Sequence, residues 1–297
     1  MSAKFGGDQP SPHYARHSRY SDPGRLAHLL LAVRPGLPEV CEVARNVIVH
    51  YRYARVPLPE SSNGDINLRR LSRILELDQE RHRAPLTEAR PEAERVQGCC
   101  RDQVLLAVGI LRQHGIPARS RVGFANYLRP GSRADHVVGE AWIGGRWRRF
   151  DPWLAGPRGA IEDPHDLPPG TFLTAAAAWA DHRRNGAPVD DLGVRIGPVG
   201  YLGLPFVLSY LIMDVAHRFG DELLLWDSWG AMPLPGHWVD LELGDRLAEL
   251  VLRADSGDVS AEQELAAIHS TDLRVKPGAE VLQLSPRGEP PRPIRLA

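Results

Sequence analysis

Cysteine is scarce in this sequence of 297 residues, which contains Cys41, Cys99 and Cys100 and no others. Small secreted domains that depend on disulfide bonds carry more cysteines, at regular spacings. Two of the three are adjacent here, and a bridge between neighbours would strain the backbone that joins them. The sequence therefore argues against a disulfide framework, and we expect a protein of the reducing cytoplasm.

Long apolar segments are absent as well. No uninterrupted apolar run reaches the length that spans a bilayer. The first two dozen residues are polar and lack the apolar core of a signal peptide. These two absences predict a protein that neither enters a membrane nor is secreted.

An excess of one charge is also missing. The 36 lysines and arginines nearly cancel the 37 aspartates and glutamates, which leaves a formal net charge of -1. Proteins that hold nucleic acid by its phosphates normally show a basic excess or stripe, so we expect no nucleic-acid partner. The 12 histidines are scattered and no cysteines occur in spaced pairs, so nothing in the pattern requires a metal or another cofactor.

The spacing of apolar residues divides the chain into helical and extended parts. Helices are predicted over 24–33, after Pro38, and over 67–77, 103–114, 172–183, 206–218 and 241–253. Strands are predicted over 119–125, 136–143 and 147–151, with a tight turn at Gly144–Gly145. A helix followed by a meander of antiparallel strands indicates an α+β fold.

The first segment that can carry chemistry is Gly98–Asp102, at the start of the helix that runs to His114. A cysteine at a helix N-terminus lies where the helix dipole and free N–H groups favour the thiolate. The same N–H groups can hold an oxyanion during acyl transfer. Taken alone the position is weak evidence, because buried structural cysteines are common.

Two further residues lie on the predicted hairpin. His136 opens one strand, and a neutral imidazole within reach of a thiol can take its proton. Asp151 ends the returning strand. A simple register pairs position 144 − k with position 145 + k, so that His136 opposes position 153, within two residues of Asp151. An aspartate in that place can orient an imidazole.

These residues together resemble the three sequence blocks of the transglutaminase-like superfamily. The resemblance covers about residues 95–153 and is carried by Gly98–Asp102, Gly115–Arg119, His136 with Glu140, and Trp147 before Asp151–Pro152. It implies that Cys100 is the nucleophile, His136 the base and Asp151 the residue that orients the imidazole. Cys99 occupies the variable place before the nucleophile and is the alternative thiol.

The resemblance extends to a group of bacterial transglutaminase-like proteins without assigned substrates. Shared features are Asn67–Arg69, Phe172–Thr174 and Trp226–Gly230. One departure concerns the residues after His136, where many members have a tryptophan and this chain has Val137 and Val138. That difference could reshape the cleft that receives the acyl group.

Cys99 is also a candidate for substrate binding, together with five other residues that each have a structural alternative. Asn67 and Arg69 could bind a carboxylate, although a helix cap is the simpler interpretation. Arg119 could anchor a substrate, or form a salt bridge at the start of a strand. Trp226 and Trp229 could line a cleft, whereas aromatic residues beside a helix more often belong to the core.

The sequence thus predicts an α+β protein with a papain/transglutaminase-like core, a helix packed on an antiparallel meander, and additional helices on both sides. We expect a flexible arm over 1–22, one domain over 23–270 with its catalytic core at about 95–155 and a helical elaboration over 168–270, and a loosely ordered tail over 271–297. The expected activity is cysteine-dependent acyl transfer from a peptide, an amide or a thioester, with water or an amine as acceptor. An acyl-CoA-dependent transferase with the same triad and a catalytically silent binding protein are the alternatives.

Overall fold

The computed structural model describes residues 10–129, 131–196, 199–234 and 236–296. Helices and strands are mixed along the chain, which confirms the predicted α+β class. The chain divides into two compact units, the first made of residues 1–120 and 137–168 and the second of residues 121–136 and 169–297. The predicted extent of one domain, 23–270, stays a prediction.

The first unit is built around one buried helix. Its α-helices are α1 (Ala27–Leu31), α2 (Leu37–Val47), α3 (Leu71–Arg81) and α4 (Cys100–Gln113). Short 3-10 helices lie at Pro12–Ala15, Gly24–Leu26, Glu60–Asn67 and Glu92–Glu94. Every residue of α4 from Cys100 to Arg112 is buried. A helix that is covered on all sides belongs to the core, and α4 contacts α1, α2 and α3.

Two pairs of strands complete the first unit. Strand β1 (Ile48–His50) runs parallel to β2 (Val96–Gly98), with His50 opposite Gly98. Strand β4 (Ser132–Ile143) pairs antiparallel with β5 (Arg146–Phe150), from Ile143 opposite Arg146 to Gly139 opposite Phe150. This is the register predicted from the sequence. The turn between the two strands uses Gly144 and Gly145 at φ values of 64° and 77°, which glycine adopts without steric cost.

The second unit contains both α-helices and short strands. Its elements are β6 (Phe172–Thr174), α5 (Ala175–Asn185), β7 (Gly193–Ile196), β8 (Val199–Leu202), α6 (Leu204–Arg218), β9 (Asp227–Ser228), α7 (Leu241–Asp255), α8 (Val259–Thr271), β10 (Glu280–Gln283) and β11 (Arg292–Arg295). Strand order is β11–β10–β9 in one sheet and β6–β3–β4–β7–β8 in another, where β3 is Ala118–Arg129. The predicted helices at 206–218 and 241–253 are confirmed as α6 and α7.

Buried ion pairs join four elements of the second unit. Arg121, which is 1% exposed, donates to Asp214 of α6 and to Asp255 of α7, each at 2.9 Å. Arg218 of α6 contacts the same Asp255 at 2.9 Å and Glu262 of α8 at 2.8 Å. Because these charges are paired and hydrogen-bonded, their mutual attraction offsets the cost of removing them from water.

The helix predicted over 67–77 begins later than expected. In the structure α3 starts at Leu71, and Leu68 still has an extended backbone with φ -72° and ψ 117°. The carbonyl groups of Leu68 and Arg69 accept hydrogen bonds from Arg101, at 3.4 Å and 2.6 Å. These long-range bonds engage carbonyl groups that a helix starting at residue 67 would use for its own first turn.

The ends of the chain hold regular structure in their described parts. The 3-10 helix Pro12–Ala15 lies within the predicted arm, and its Tyr14 is 3% exposed with its ring edge-on to Trp147 at 5.3 Å. The predicted tail contains the antiparallel pair β10–β11. Among the helices of the described residues, none combines the length and the apolar character needed to cross a membrane.

Candidate active site

Cys100 is the first residue of α4, and Cys99 is the N-cap before it. Their exposed fractions are 6% and 4%. Strand β2 leads directly into this turn, where space is limited: a Cβ on Gly98 would lie 2.8 Å from Asp102 Oδ2 and 2.9 Å from Ile48 Cγ2. Only glycine fits there, so the backbone before the two cysteines lies tightly against the helix start.

A buried carboxylate fixes the first turn of α4. Asp102 Oδ2 accepts a hydrogen bond from the Cys99 N–H at 2.8 Å, and Asp102 Oδ1 accepts one from Arg101 at 2.7 Å. An acidic residue at the third helical position that accepts from the N-cap N–H satisfies one of the backbone donors at the helix start. A negative charge here also interacts favourably with the helix dipole.

Strand β2 is held from its other side by Asp65. Oδ2 of Asp65 accepts from the Gln97 N–H at 3.1 Å, and the same carboxylate receives two hydrogen bonds from Arg81, at 2.5 Å and 2.9 Å. The Gln97 side chain donates to Ser62 Oγ at 2.7 Å. The segment that carries Cys100 is therefore anchored by buried polar contacts on both of its flanks.

The surroundings of Cys99 favour its neutral form. A hydrogen bond with the Cys100 side chain, burial, and the negative charge of Asp102 together raise the pKa of the Cys99 thiol well above its ordinary value. A thiol must ionise to act as a nucleophile. The Cys99 thiol is therefore held in its protonated form, and the choice between Cys100 and Cys99 as the reactive thiol stays a prediction.

Asp151 lies one residue beyond β5 and is 0% exposed. Its N–H donates to the Pro164 carbonyl at 2.9 Å, and its Oδ1 accepts from the Trp153 N–H at 2.9 Å. Arg45, near the end of α2, donates from Nη1 to the carbonyl groups of Pro152 and Leu154, at 2.8 Å each. The backbone after the aspartate is thus clamped by a cation from a distant helix.

His136 belongs to the part of β4 that lies in the second unit. It is 3% exposed, and its ring meets the ring of Tyr127 edge-on, with 6.1 Å between the centroids. Cys100 and Asp151 belong to the first unit. The assignment of the three as a triad stays a prediction.

Arg119 is buried in an ion pair, as the structural alternative for this residue predicts. Its Nε donates to Glu140 Oε2 at 2.8 Å, and its guanidinium lies 4.3 Å from the ring centroid of Trp147. Glu140 also accepts from Arg149 at 2.7 Å. With an exposed fraction of 3%, Arg119 holds strands β3, β4 and β5 together.

Asn67 and Arg69 lie in the segment that supports the start of α4. Asn67 ends the 3-10 helix Glu60–Asn67 and does not cap α3, whose N-cap is Arg70, so the helix-cap interpretation is wrong. Arg69 offers its carbonyl oxygen to Arg101, the residue after Cys100. Both side chains are half-buried, and their role as substrate ligands stays a prediction.

Trp226 and Trp229 lie in the second unit, with exposed fractions of 8% and 6%. The Trp229 Nε1–H donates to the Val275 carbonyl at 2.8 Å, and the Trp226 carbonyl accepts from the Leu284 N–H at 2.7 Å. These bonds attach the Trp226–Gly230 segment to the C-terminal part of the chain. Their burial agrees with the core interpretation, and substrate contact stays a prediction.

The sequence reasoning missed Arg45, Arg101 and Asp102 as determinants of the site. An acidic residue three positions after an N-cap is a recognised sequence signal, so Asp102 could have been found. Arg45 carries no such signal because its partners lie more than a hundred positions away. Within the described ranges, no three His, Cys, Asp or Glu side chains lie close enough together to hold a metal ion.

Residues 75–152 match the family model of the transglutaminase-like superfamily. The matched segment contains Cys100, His136 and Asp151, and the match confirms the resemblance inferred from the sequence for this part of the chain. None of the curated proteins compared with this chain matches it.

One solved structure is similar in part. It is a crystal structure from Cytophaga hutchinsonii named "Putative Cysteine Protease", 21% identical, with a TM-score of 0.31. The alignment covers 56% of this chain and 48% of that chain, so this chain spans about half the length of that protein. A likeness of this degree identifies neither the fold nor the activity.

Proposed function

We propose that this protein is a cysteine-dependent acyl-transfer enzyme that acts on an amide or a thioester. Cys100 is the nucleophile, His136 the general base and Asp151 the residue that orients the imidazole. The observation that carries this proposal is the position of Cys100, at the first residue of a buried helix within the segment that matches the transglutaminase-like superfamily.

The helix start supplies what the reaction needs at the thiol. The positive end of the helix dipole stabilises a thiolate, and backbone N–H groups of the first turn can donate to the oxyanion of a tetrahedral intermediate. The neighbouring Cys99 keeps its proton because its pKa is raised by its hydrogen bond to Cys100 and by burial. A protonated neighbour can stabilise a Cys100 thiolate and does not compete with it for the substrate.

The reaction proceeds in two steps. The Cys100 thiolate attacks the carbonyl carbon, a C–S bond forms, and the C–N or C–S bond of the substrate breaks as His136 gives a proton to the leaving group. In the second step His136 takes a proton from water or an amine, whose oxygen or nitrogen bonds to the acyl carbon while the C–S bond to Cys100 breaks. Water as acceptor gives a peptidase or amidase, and an amine gives an amide-forming transferase.

Intact-mass analysis of the acyl-enzyme tests the proposal. The protein is mixed with a panel of N-acetylcysteamine thioesters and quenched in acid, and we expect one acyl group per chain, located at Cys100 by peptide mass. Cys100→Ala should abolish the adduct, whereas Cys99→Ala should retain it. An adduct that survives in Cys100→Ala and is lost in Cys99→Ala would reverse the assignment of the nucleophile.

The same assay examines the base. His136→Ala should slow the formation of the adduct about a hundredfold or more, in line with the usual contribution of a general base. If His136→Ala and the unmodified protein acylate at the same rate, the triad is wrong even though Cys100 is reactive. An unreactive Cys100 in the unmodified protein would favour a binding role instead.

A further inference from the structure

Four aromatic side chains of the first unit form a continuous group that we call the aromatic ledge: His50, Tyr51, Tyr53 and Trp153. The rings of His50 and Tyr51 are stacked, with centroids 5.4 Å apart and an angle of 11° between the planes. His50 also contacts Tyr53 at 4.7 Å, and Tyr53 meets Trp153 edge-on at 5.8 Å. The ledge thus joins the loop after β1 to the loop after β5.

The ledge is attached to the backbone on both sides of the proposed chemistry. The Tyr51 N–H donates to the Gly98 carbonyl at 3.0 Å, two residues before Cys100. At the other end, the Trp153 N–H donates to Asp151 Oδ1 at 2.9 Å. Main-chain hydrogen bonds of two ledge residues therefore reach the segments that carry Cys100 and Asp151.

The ledge is most open to solvent at Tyr53. Tyr53 is 49% exposed, and the other three rings are half-buried. Arg52 lies 5.2 Å from the ring centroid of Tyr51, and Arg158 lies 5.2 Å from that of Trp153, so both guanidinium groups pack on ring faces. Such cation–π contacts hold the rings in place. An exposed ring that continues into a half-buried aromatic group offers a surface on which a further ring can pack.

We propose that the aromatic ledge binds a flat aromatic group of the substrate, so that the acyl donors of this enzyme are aromatic amides or thioesters. The inference rests on Cys100 being the reactive thiol. A second aromatic ring can make edge-to-face or offset-stacked contacts with Tyr53, which a saturated ring of similar size cannot. The ledge therefore selects for aromatic character as well as for apolar area.

The test uses alkylating probes, which need no acyl transfer. N-(2-phenylethyl)iodoacetamide and N-(2-cyclohexylethyl)iodoacetamide each form a C–S bond with Cys100 and release iodide. Their rates are measured by peptide mass on the full-length protein and divided by their rates with free cysteine. We expect the phenyl probe to react about 2- to 10-fold faster, the ratio that corresponds to about 0.5–1.4 kcal/mol of aromatic pairing.

Variants of the ledge identify the source of the preference. Tyr53→Ala should bring the ratio close to one, and Tyr53→Phe should retain it because the ring remains. Val56→Ala is the matched control, since this side chain lies in the same loop and is 42% exposed. It should keep the ratio of the unmodified protein.

Equal normalised rates for the two probes in the unmodified protein would overturn the inference, as would a phenyl preference that persists in Tyr53→Ala. These failures differ from a failure of the proposed function. A phenyl preference in alkylation without any acyl-enzyme would retain the ledge and refute acyl transfer. An acyl-enzyme that forms equally well from aromatic and saturated donors would support acyl transfer and refute the role of the ledge.

Discussion

The ion pair between Arg101 and Asp102 lies directly beside Cys100, and its two side chains are 1% and 4% exposed. Removal of one partner from a buried pair leaves the other charge in the interior without compensation, which costs about 3–5 kcal/mol. Asp102→Ala also removes the acceptor for the Cys99 N–H. We therefore expect Asp102→Ala to lower the free energy of unfolding by about 3–5 kcal/mol.

Two companion variants separate the charge from the hydrogen bond. Asp102→Asn keeps an acceptor oxygen for the Cys99 N–H but leaves Arg101 without its counter-charge, so it should recover only the part of the cost of Asp102→Ala that comes from the lost hydrogen bond, about 1–3 kcal/mol. The double variant Arg101→Met with Asp102→Asn removes both charges. Its loss of unfolding free energy should therefore be smaller than the sum of the losses in Arg101→Met alone and Asp102→Asn alone. If Asp102→Ala is too unstable to purify, Asp102→Asn and the double variant still show how much the ion pair contributes to stability.

The assay is urea unfolding followed by tryptophan fluorescence, with the slope m compared among variants so that a change in stability is not confused with a change in compactness. Arg246→Ala is the control, because its ion pair with Glu264 is 59% and 46% exposed and should contribute less than about 1 kcal/mol. A loss in Asp102→Ala no larger than that of the control would refute the reasoning. It would mean that Arg101 is compensated by its backbone acceptors alone.

Three further predictions concern the strand pair, a buried thiol and the clamp behind Asp151. Gly139→Ala would bring a Cβ within 2.2 Å of the Phe150 ring, so the free energy of unfolding measured by thermal unfolding should fall by about 1–3 kcal/mol. The control is Gly64→Ala, whose Cβ would meet no atom within 4 Å, and its free energy of unfolding should change little. Burial raises the pKa of the Cys41 thiol, so the folded state keeps a proton that the unfolded state loses above about pH 8.5. The free energy of unfolding should therefore fall by about 1.4 kcal/mol per pH unit above about pH 8.5 because of this thiol. Unfolding titrations in which Cys41→Ala shows the same dependence on pH as the unmodified protein would contradict this. Arg45→Met should slow acylation more than about tenfold while far-ultraviolet circular dichroism stays unchanged, and an unaltered rate would show that the two carbonyl contacts do not position Asp151.

Local sequence signals predicted the parts of the protein whose structure depends on near neighbours. Helical periodicity placed a helix over 103–114, and the structure has α4 from Cys100 to Gln113. The turn Gly144–Gly145 predicted the β4–β5 register, because a two-residue turn that needs two positive φ values fixes which residues face each other. The same register was the reason for grouping His136 with Asp151.

Other elements escaped prediction because they are short or depend on distant partners. Strands β1 and β2 have three residues each, which is too few to show an alternating pattern. The C-terminal pair β10–β11 lies in a segment rich in Pro, Arg and Gly, a composition that suggested disorder. Pairing with a neighbouring strand stabilises these residues in spite of their low intrinsic propensity.

The sequence by itself determined the α+β class, the helix that begins at Cys100, the hairpin and the resemblance that links three residues into one chemical hypothesis. Each of these depends on patterns that repeat within a few residues or on a motif with fixed spacing. Only the tertiary structure decided where α3 begins, which cation clamps the segment after Asp151, and that the aromatic ledge exists. These features depend on contacts across 32, 107 and about 100 positions of the chain, and no local pattern records which distant groups will meet once the apolar core has formed.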